Sequence, residues 1–455
     1  MLDALALAAR VRAGEVSPRE LVEQAVERIE ARNGELNFLV TDCFEQALEA
    51  EPVDGPFRGV PMLVKDLTET AGVRTTFSCK AFADHIPERD MAVVRRMKEA
   101  GFIVLGKSNT PEFGSTAVTE SELNGYCRNP WDTSRTPGGS SGGAAAAVAA
   151  GVLPLAQASD GGGSIRIPAA CCGLYGLKPS RGRVSGAPYG GGSLELGQNG
   201  SVSVTVRDSA AFLDAVAGYE PGDPNWAPPP ERPFLDEVGA DPGRLRIAVT
   251  AETPTGTDVD PRVVAVVRAA ADALASLGHD VVEATPPWRD ENALLQFARL
   301  WSIGPALYPV PDRALMEPLN RALADAADAA TSADYARSVA WFQSFARRIV
   351  AFWADVDVVL TPALGMLPVE VGWVTGPDDP WEQYRRAGVF TPYTPLVNVT
   401  GQPAAAVPWD VVDGLPVGVQ LIGPPAGEAL LLRLSAQIEE AYPWADRLPK
   451  EGKAG

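Results

Sequence analysis

The chain has 455 residues, 46% of them hydrophobic and 21% charged, with a formal net charge of -19. Those fractions belong to a globular protein with a sizeable core. The acidic balance excludes a nucleic-acid or anionic-membrane surface, since neither polyanion attracts a partner of its own sign.

The opening MLDALALAAR lacks a basic segment and carries Asp3 at once, so it reads as a helix rather than a secretion signal. From Ser17, SPRELVEQAVERIEAR is a helix with its start written in: Ser17 caps, Pro18 suits the first turn and Glu20 closes a capping box. Leu21, Ala25, Val26 and Ile29 supply its apolar face. GVPMLVKD (59–66) is a short buried strand that ends at Lys65 and Asp66. MAVVRRMKEAG is a helix stopped by Gly101, FIVLG a strand, SSGGAAAAVAAG a tight helix that Ser141 is placed to cap, and VLPLAQAS another strand. The run Ala144–Ala156 is too short and too weakly apolar to span a bilayer.

After the helix DSAAFLDAVAG comes the most evident loop, PGDPNWAPPPERP (221–233). RLRIAVT, PRVVAVVRAAADALASLG and HDVVEA then read strand, helix, strand. Residues 290–353 are helical and rich in Trp and Phe, a pattern that fits either a pocket wall or core packing. VDVVLTP and LPVGVQLIG return to strands, and a helix near 427–441 follows. Strands alternating with helices over this length predict an α/β fold, a large mixed sheet flanked by helices on both faces. The cysteines, Cys43, Cys79, Cys127, Cys171 and Cys172, are odd in number and form no C-x-x-C. That fits reduced thiols and a cytoplasmic location. The two histidines, His85 and His279, are not spaced as metal ligands, and the sequence calls for no metal or organic cofactor.

Three motifs bear on chemistry. GFIVLGKS (101–108) matches the phosphate-loop pattern, but its four central residues are those of a buried strand, which leaves no open loop to cradle a nucleotide. GSSGG (139–143) matches G-x-S-x-G, yet no strand precedes it and only His279 lies downstream to serve as base. DGGGSIR (160–166) runs three glycines into Ser164, exposing successive amides beside a hydroxyl. With histidine nearly excluded, a buried lysine is the candidate base, its pKa falling from about 10.4 toward 7–8. Lys65, at the end of an apolar strand, is the best placed. Asp160 and Arg166 flank the loop as its shape-holding pair, and Cys171 and Cys172 read as packing residues in PAACCGLYG.

Residues 138–183, with FRGVPMLVKD, GKSNTPEFG, NPWDTSRTPGGSSGG and the closing NVTGQPAAAVPW and GLPVGVQLIG, resemble the amidase signature family along nearly the whole chain. The resemblance implies a single amidase domain over 1–455, with a helical substrate-pocket region at about 290–353. It implies an acyl-forming nucleophile at Ser164, a bridging serine at Ser140 after a cis Gly139–Ser140 bond, and a lysine base at Lys65. It also implies an oxyanion hole from the amides of Gly161, Gly162, Gly163 and Ser164. The implied activity is hydrolysis of amide C–N bonds, with carbamates (urethanes) or esters as further substrates. The expected partner is a small-molecule amide or carbamate, and a monomer or homodimer is expected. The alternatives are a glutaminase subunit of a tRNA amidotransferase and a non-catalytic scaffold. Gly161 stands where threonine is usual in the family and is expected to widen the site. DGGGSIRIPA is similar to the branch that cleaves cyclic nylon oligomers and urethanes. Gly139 and Tyr189 are added as substrate contacts, Tyr189 within a glycine-rich loop (185–201) expected to form a mobile rim.

Overall fold

The computed structural model describes residues 3–189 and 195–449. Eight strands form one mixed sheet: β6 (Leu155–Asp160), β7 (Tyr175–Lys178), β8 (Gln198–Ser203), β9 (Arg246–Val249), β10 (Asp280–Glu283), β11 (Val358–Pro362), β12 (Ala404–Val412) and β13 (Leu415–Ile422). Their order is β10-β9-β11-β13-β12-β7-β8-β6. The three strands at the β10 end run parallel and every later pair is antiparallel. All eight residues of β13 are buried, as a central strand covered on both faces requires, whereas β10 at the edge is half open.

A smaller sheet holds β1 (Leu39–Asp42), β2 (Pro61–Lys65) and β3 (Ile103–Ser108) in the order β1-β3-β2, and β4 (Glu120–Ser121) pairs with β5 (Gly125–Tyr126). Every residue of β2 is buried, Lys65 included. β2 lies beside β6 at the margin of the large sheet, joined to it by a side chain. Gln157 Oε1 accepts from the Lys65 backbone N–H at 2.9 Å, and Gln157 Nε2 donates to Asn199 Oδ1 at 3.1 Å.

The helix Pro18–Leu36 begins as its sequence says: Ser17 Oγ accepts from Glu20 N at 3.1 Å and Ser17 N donates to Glu20 at 2.7 Å. The helix Gly142–Ala149 is buried on every side. Its alanines let it lie close against its neighbours, and its first two positions tolerate nothing larger than glycine. A Cβ on Gly142 would stand 2.3 Å from Thr119 Oγ1, and one on Gly143 2.3 Å from Asn109 N.

Several expectations change here. Ser141 does not cap that helix. Its hydroxyl instead donates to Ser159 O at 3.2 Å and accepts from Ser159 N at 3.3 Å, while Thr119 Oγ1 takes the Gly142 amide at 3.1 Å. A buried helix start next to a strand gives the serine a better partner than its own backbone. β7, β8 and β12 escaped the pattern reading: β8, rich in Ser, Gly, Gln and Asn, carries little of the β-branched signal; β7 is only four residues long, and β12 opens on alanines and is interrupted by Pro408. GFIVLGKS is β3 with the two residues before it. Gly101 sits at φ 96° after a helix end, and Lys107 is buried against Thr68 O and Thr70 Oγ1, so this stretch is not a phosphate loop. His279 is tied to Leu245 N at 3.2 Å and Gln437 at 2.8 Å, a structural fixture. No helix among the described residues is long and apolar enough to cross a membrane.

Candidate active site

β2 delivers Lys65 and β6 delivers Ser159 and Asp160 to one point, and the loops beside them carry Ser140 and Ser164. Lys65 is fully buried. Burial pushes its ammonium pKa down to about 7, against the opposing pull of the Asp160 carboxylate. Its Nζ lies 2.7 Å from Ser140 Oγ, 3.2 Å from Ser159 Oγ and 3.4 Å from Ser159 O. A neutral amine has two hydrogens and one lone pair. Donating both hydrogens to Ser159 aims the lone pair at the Ser140 hydroxyl, which then donates to it. Ser159 was not singled out from sequence. Its position next to Asp160 on a strand was the available signal.

The Gly139–Ser140 bond is cis. Gly139 packs on backbone: a Cβ there would stand 2.6 Å from Val118 C. It is not among the residues lining the cavity described below.

The DGGGSIR loop is held by a buried ion pair. Arg166 donates Nε to Asp160 Oδ2 and Nη2 to Oδ1, both at 2.9 Å, and reaches Gln420 and Asn398 at 2.6 Å. Asn398 Nδ2 donates to Asp160 Oδ1 at 2.9 Å and to Asp160 O at 2.8 Å. Burial alone would raise the Asp160 carboxyl; the Arg166 charge and these hydrogen bonds more than offset it and keep it well below the usual carboxylate range. The pair thus shapes the loop and is used up in doing so.

That loop sorts its amides. Gly163 N donates to Asp160 Oδ1 at 2.7 Å and Ile165 N to Oδ2 at 3.2 Å. The Gly163 amide, expected in the oxyanion hole, is therefore engaged by the carboxylate. Among the described residues the amides of Gly161, Gly162 and Ser164 have no such partner. Gly163 has φ 127°, and a Cβ on it would fall 2.2 Å from Thr394 Oγ1, so only glycine fits. Thr394 Oγ1 in turn donates to Gly162 O at 2.8 Å.

Ser164 and Gly162 open onto a cavity. Its wall comes largely from the helical stretch read from sequence, through Leu294, Phe297, Trp301, Leu319, Phe342 and Phe345, and from Tyr384 and Leu396. Among the described residues no charged side chain lines it. Phe342 and Phe345 also pack into a buried cluster with Ile349 and Val399, so the stretch serves as both wall and core. The Trp301 ring sits over Gly161, with Cη2 3.3 Å from where a Cβ would stand. Gly161 does not widen the site: the space a larger residue would fill is occupied by the indole.

Tyr189 is 48% exposed, its phenol bonded to Glu69, and it is not among the residues lining this cavity. Residues 190–194 of the proposed rim lie outside the described residues. Cys171 and Cys172 are fully buried, and burial drives both thiols far above their ordinary pKa.

The family model for Amidase matches residues 20–432. The 6-aminohexanoate-cyclic-dimer hydrolase of Paenarthrobacter ureafaciens is 37% identical, over 98% of this chain and 96% of its own length. An acylamidase of Rhodococcus erythropolis is 35% identical, over 99% and 97%. A solved structure of 6-aminohexanoate cyclic dimer hydrolase superposes with a TM-score of 0.93 at 36% identity, over 99% of this chain and 98% of that one.

Proposed function

This chain belongs to the amidase family and hydrolyses amide C–N bonds, and from that premise we propose that Ser164 carries the acyl group while Ser140 and Lys65 move its proton. Neutral Lys65 takes the Ser140 proton as Ser140 takes that of Ser164. Ser164 Oγ adds to the carbonyl carbon, and the negative oxygen is held by the amides of Gly161, Gly162 and Ser164. The protonated relay then delivers its proton to the departing nitrogen, which would otherwise be a poor leaving group. Water repeats the sequence on the acyl-enzyme and frees the acid. The hydroxyls of Ser140 and Ser164 share no hydrogen bond here, so their hand-off closes only when the nucleophile turns toward the relay.

The observation that carries this reading is the 2.7 Å contact between a fully buried lysine, its pKa near 7, and Ser140. A lysine kept for charge alone would have a carboxylate partner; Lys65 has two serines. The cavity wall bears on the substrate. With no charged side chain among its described residues, it favours uncharged, apolar acyl groups over an amino acid, which speaks against the glutaminase alternative. Carbamates and esters offer the same carbonyl to the same amides and fall within the proposal. Five free cysteines support a reducing, cytoplasmic setting, and a monomer or homodimer suffices for a site built from one chain.

The test is release of 4-nitroaniline from an acyl 4-nitroanilide and from an N-(4-nitrophenyl) carbamate by wild type, Ser164→Ala and Lys65→Ala. Turnover lost in both variants supports the relay. A Ser164→Ala enzyme near wild-type rate removes Ser164 as nucleophile.

A further inference from the structure

We propose that Trp301 decides which acyl groups this enzyme accepts, excluding acids branched at the carbon next to the reacting carbonyl. The inference rests on the reading above, in which the Gly161 and Gly162 amides hold the carbonyl oxygen.

The indole is pinned from two sides. Its Nε1 donates to Ser115 O at 2.9 Å, and its ring stacks on Phe297 with centroids 5.3 Å apart and planes 21° from parallel. The free edge of the six-membered ring faces the loop. Cη2 and Cζ3 lie 3.3 and 3.5 Å from the Cβ position of Gly161, and 3.5 and 3.6 Å from that of Gly162. Phe297 Cζ follows at 3.8 Å from the latter. The ring edge therefore stands against the Cβ side of Gly161 and Gly162, the residues that carry two of the three free amides of the loop. A carbonyl oxygen about 2.9 Å from those amides brings the carbonyl carbon, and the atom attached to it, alongside the same edge. A methylene passes there with its hydrogens beside the ring. One or two extra methyl groups on that carbon would need the indole to move, and both anchors oppose that.

Gly161 is the other half of the device. A Cβ at 3.3 Å is closer than side chains ordinarily approach, so any larger residue competes with the indole for one space. Residues 161 and 301 are therefore coupled, across 140 positions of sequence.

The experiment compares kcat/KM for the 4-nitroanilides of hexanoic and 2,2-dimethylhexanoic acids. Trp301→Ala is expected to raise the branched-to-unbranched ratio by about tenfold or more, the scale on which pocket walls discriminate a methylene. Trp301→Phe keeps a ring to stack on Phe297 but deletes the edge that faces the loop, and should raise the ratio too. It carries the test if the alanine variant does not fold. Gly161→Ala alone should lower kcat/KM on the hexanoyl substrate, and in a Trp301→Ala background that loss should shrink to about threefold or less. A ratio unchanged in a folded Trp301 variant whose turnover still depends on Ser164 overturns the inference alone. Turnover that persists in Ser164→Ala overturns the reading beneath it.

Discussion

The two faces of the candidate site are built on opposite principles. On one, Lys65, Ser140, Ser159, Asp160, Arg166 and Asn398 are buried or nearly so and joined by directed hydrogen bonds. On the other, Phe297, Trp301, Phe342 and Phe345 meet by contact, and the tie from Trp301 to Ser115 O is a rare directed bond. A proton relay demands atoms fixed to tenths of an ångström, which hydrogen bonds between strands and tight loops supply. A pocket wall demands volume, which many side-chain sets can provide. Substitutions on the first face should abolish chemistry or loosen the loop; those on the second should redirect it.

Ser164→Ala is the harshest break of that contrast, with a loss on the order of 10⁴-fold or more in kcat on any substrate, as when a serine nucleophile is removed elsewhere. Lys65→Ala should cost nearly as much, and the wild-type pH profile sharpens the point. With Lys65 required neutral and its pKa at about 7, kcat/KM should rise with pH through about 7 and level above it. A profile flat from pH 5 to 9 would remove lysine as the base. Asp160→Asn leaves the Arg166 guanidinium buried without its counter-charge, which should cost about 3–5 kcal/mol of stability, read from urea unfolding midpoints. On the apolar face, Phe345→Ala should change kcat little while raising KM for long acyl chains by about tenfold, measured against an acetyl substrate as control. Tyr189→Phe, which removes the bond to Glu69 outside the cavity, should alter kcat/KM by less than about twofold. A larger effect would bring Tyr189 back as a substrate contact.

How much of this was legible in the sequence follows the same division. The capping box at Ser17 and the strand ending at Lys65 were written locally, as were the glycines before Ser164, and these elements lie where the pattern put them. The structure added what distance in sequence conceals. Gln157 joining two sheets, Ser159 under the lysine and Asn398 beneath Asp160 all depend on partners far away or on a strand's facing. The Gly163 amide was misassigned because its engagement by Asp160 is a matter of loop geometry, not composition. Ser141 likewise had two plausible partners, and only packing chose between them. The wall was half visible: aromatic spacing gave a helical face, while the meeting of Trp301 with Gly161 had no local signature.

The clamp on the nucleophile loop also sets an order in time. Arg166 is steadied by Asn398 and Gln420, and β13, between β11 and β12 at the centre of the sheet, comes from residues 415–422. A chain emerging from the ribosome displays Lys65, Ser140 and Ser164 long before these partners exist. The nascent polypeptide should therefore stay catalytically silent until its last strands are threaded into the middle of the sheet, and deleting residues 398–422 should leave a protein with every catalytic side chain and no activity.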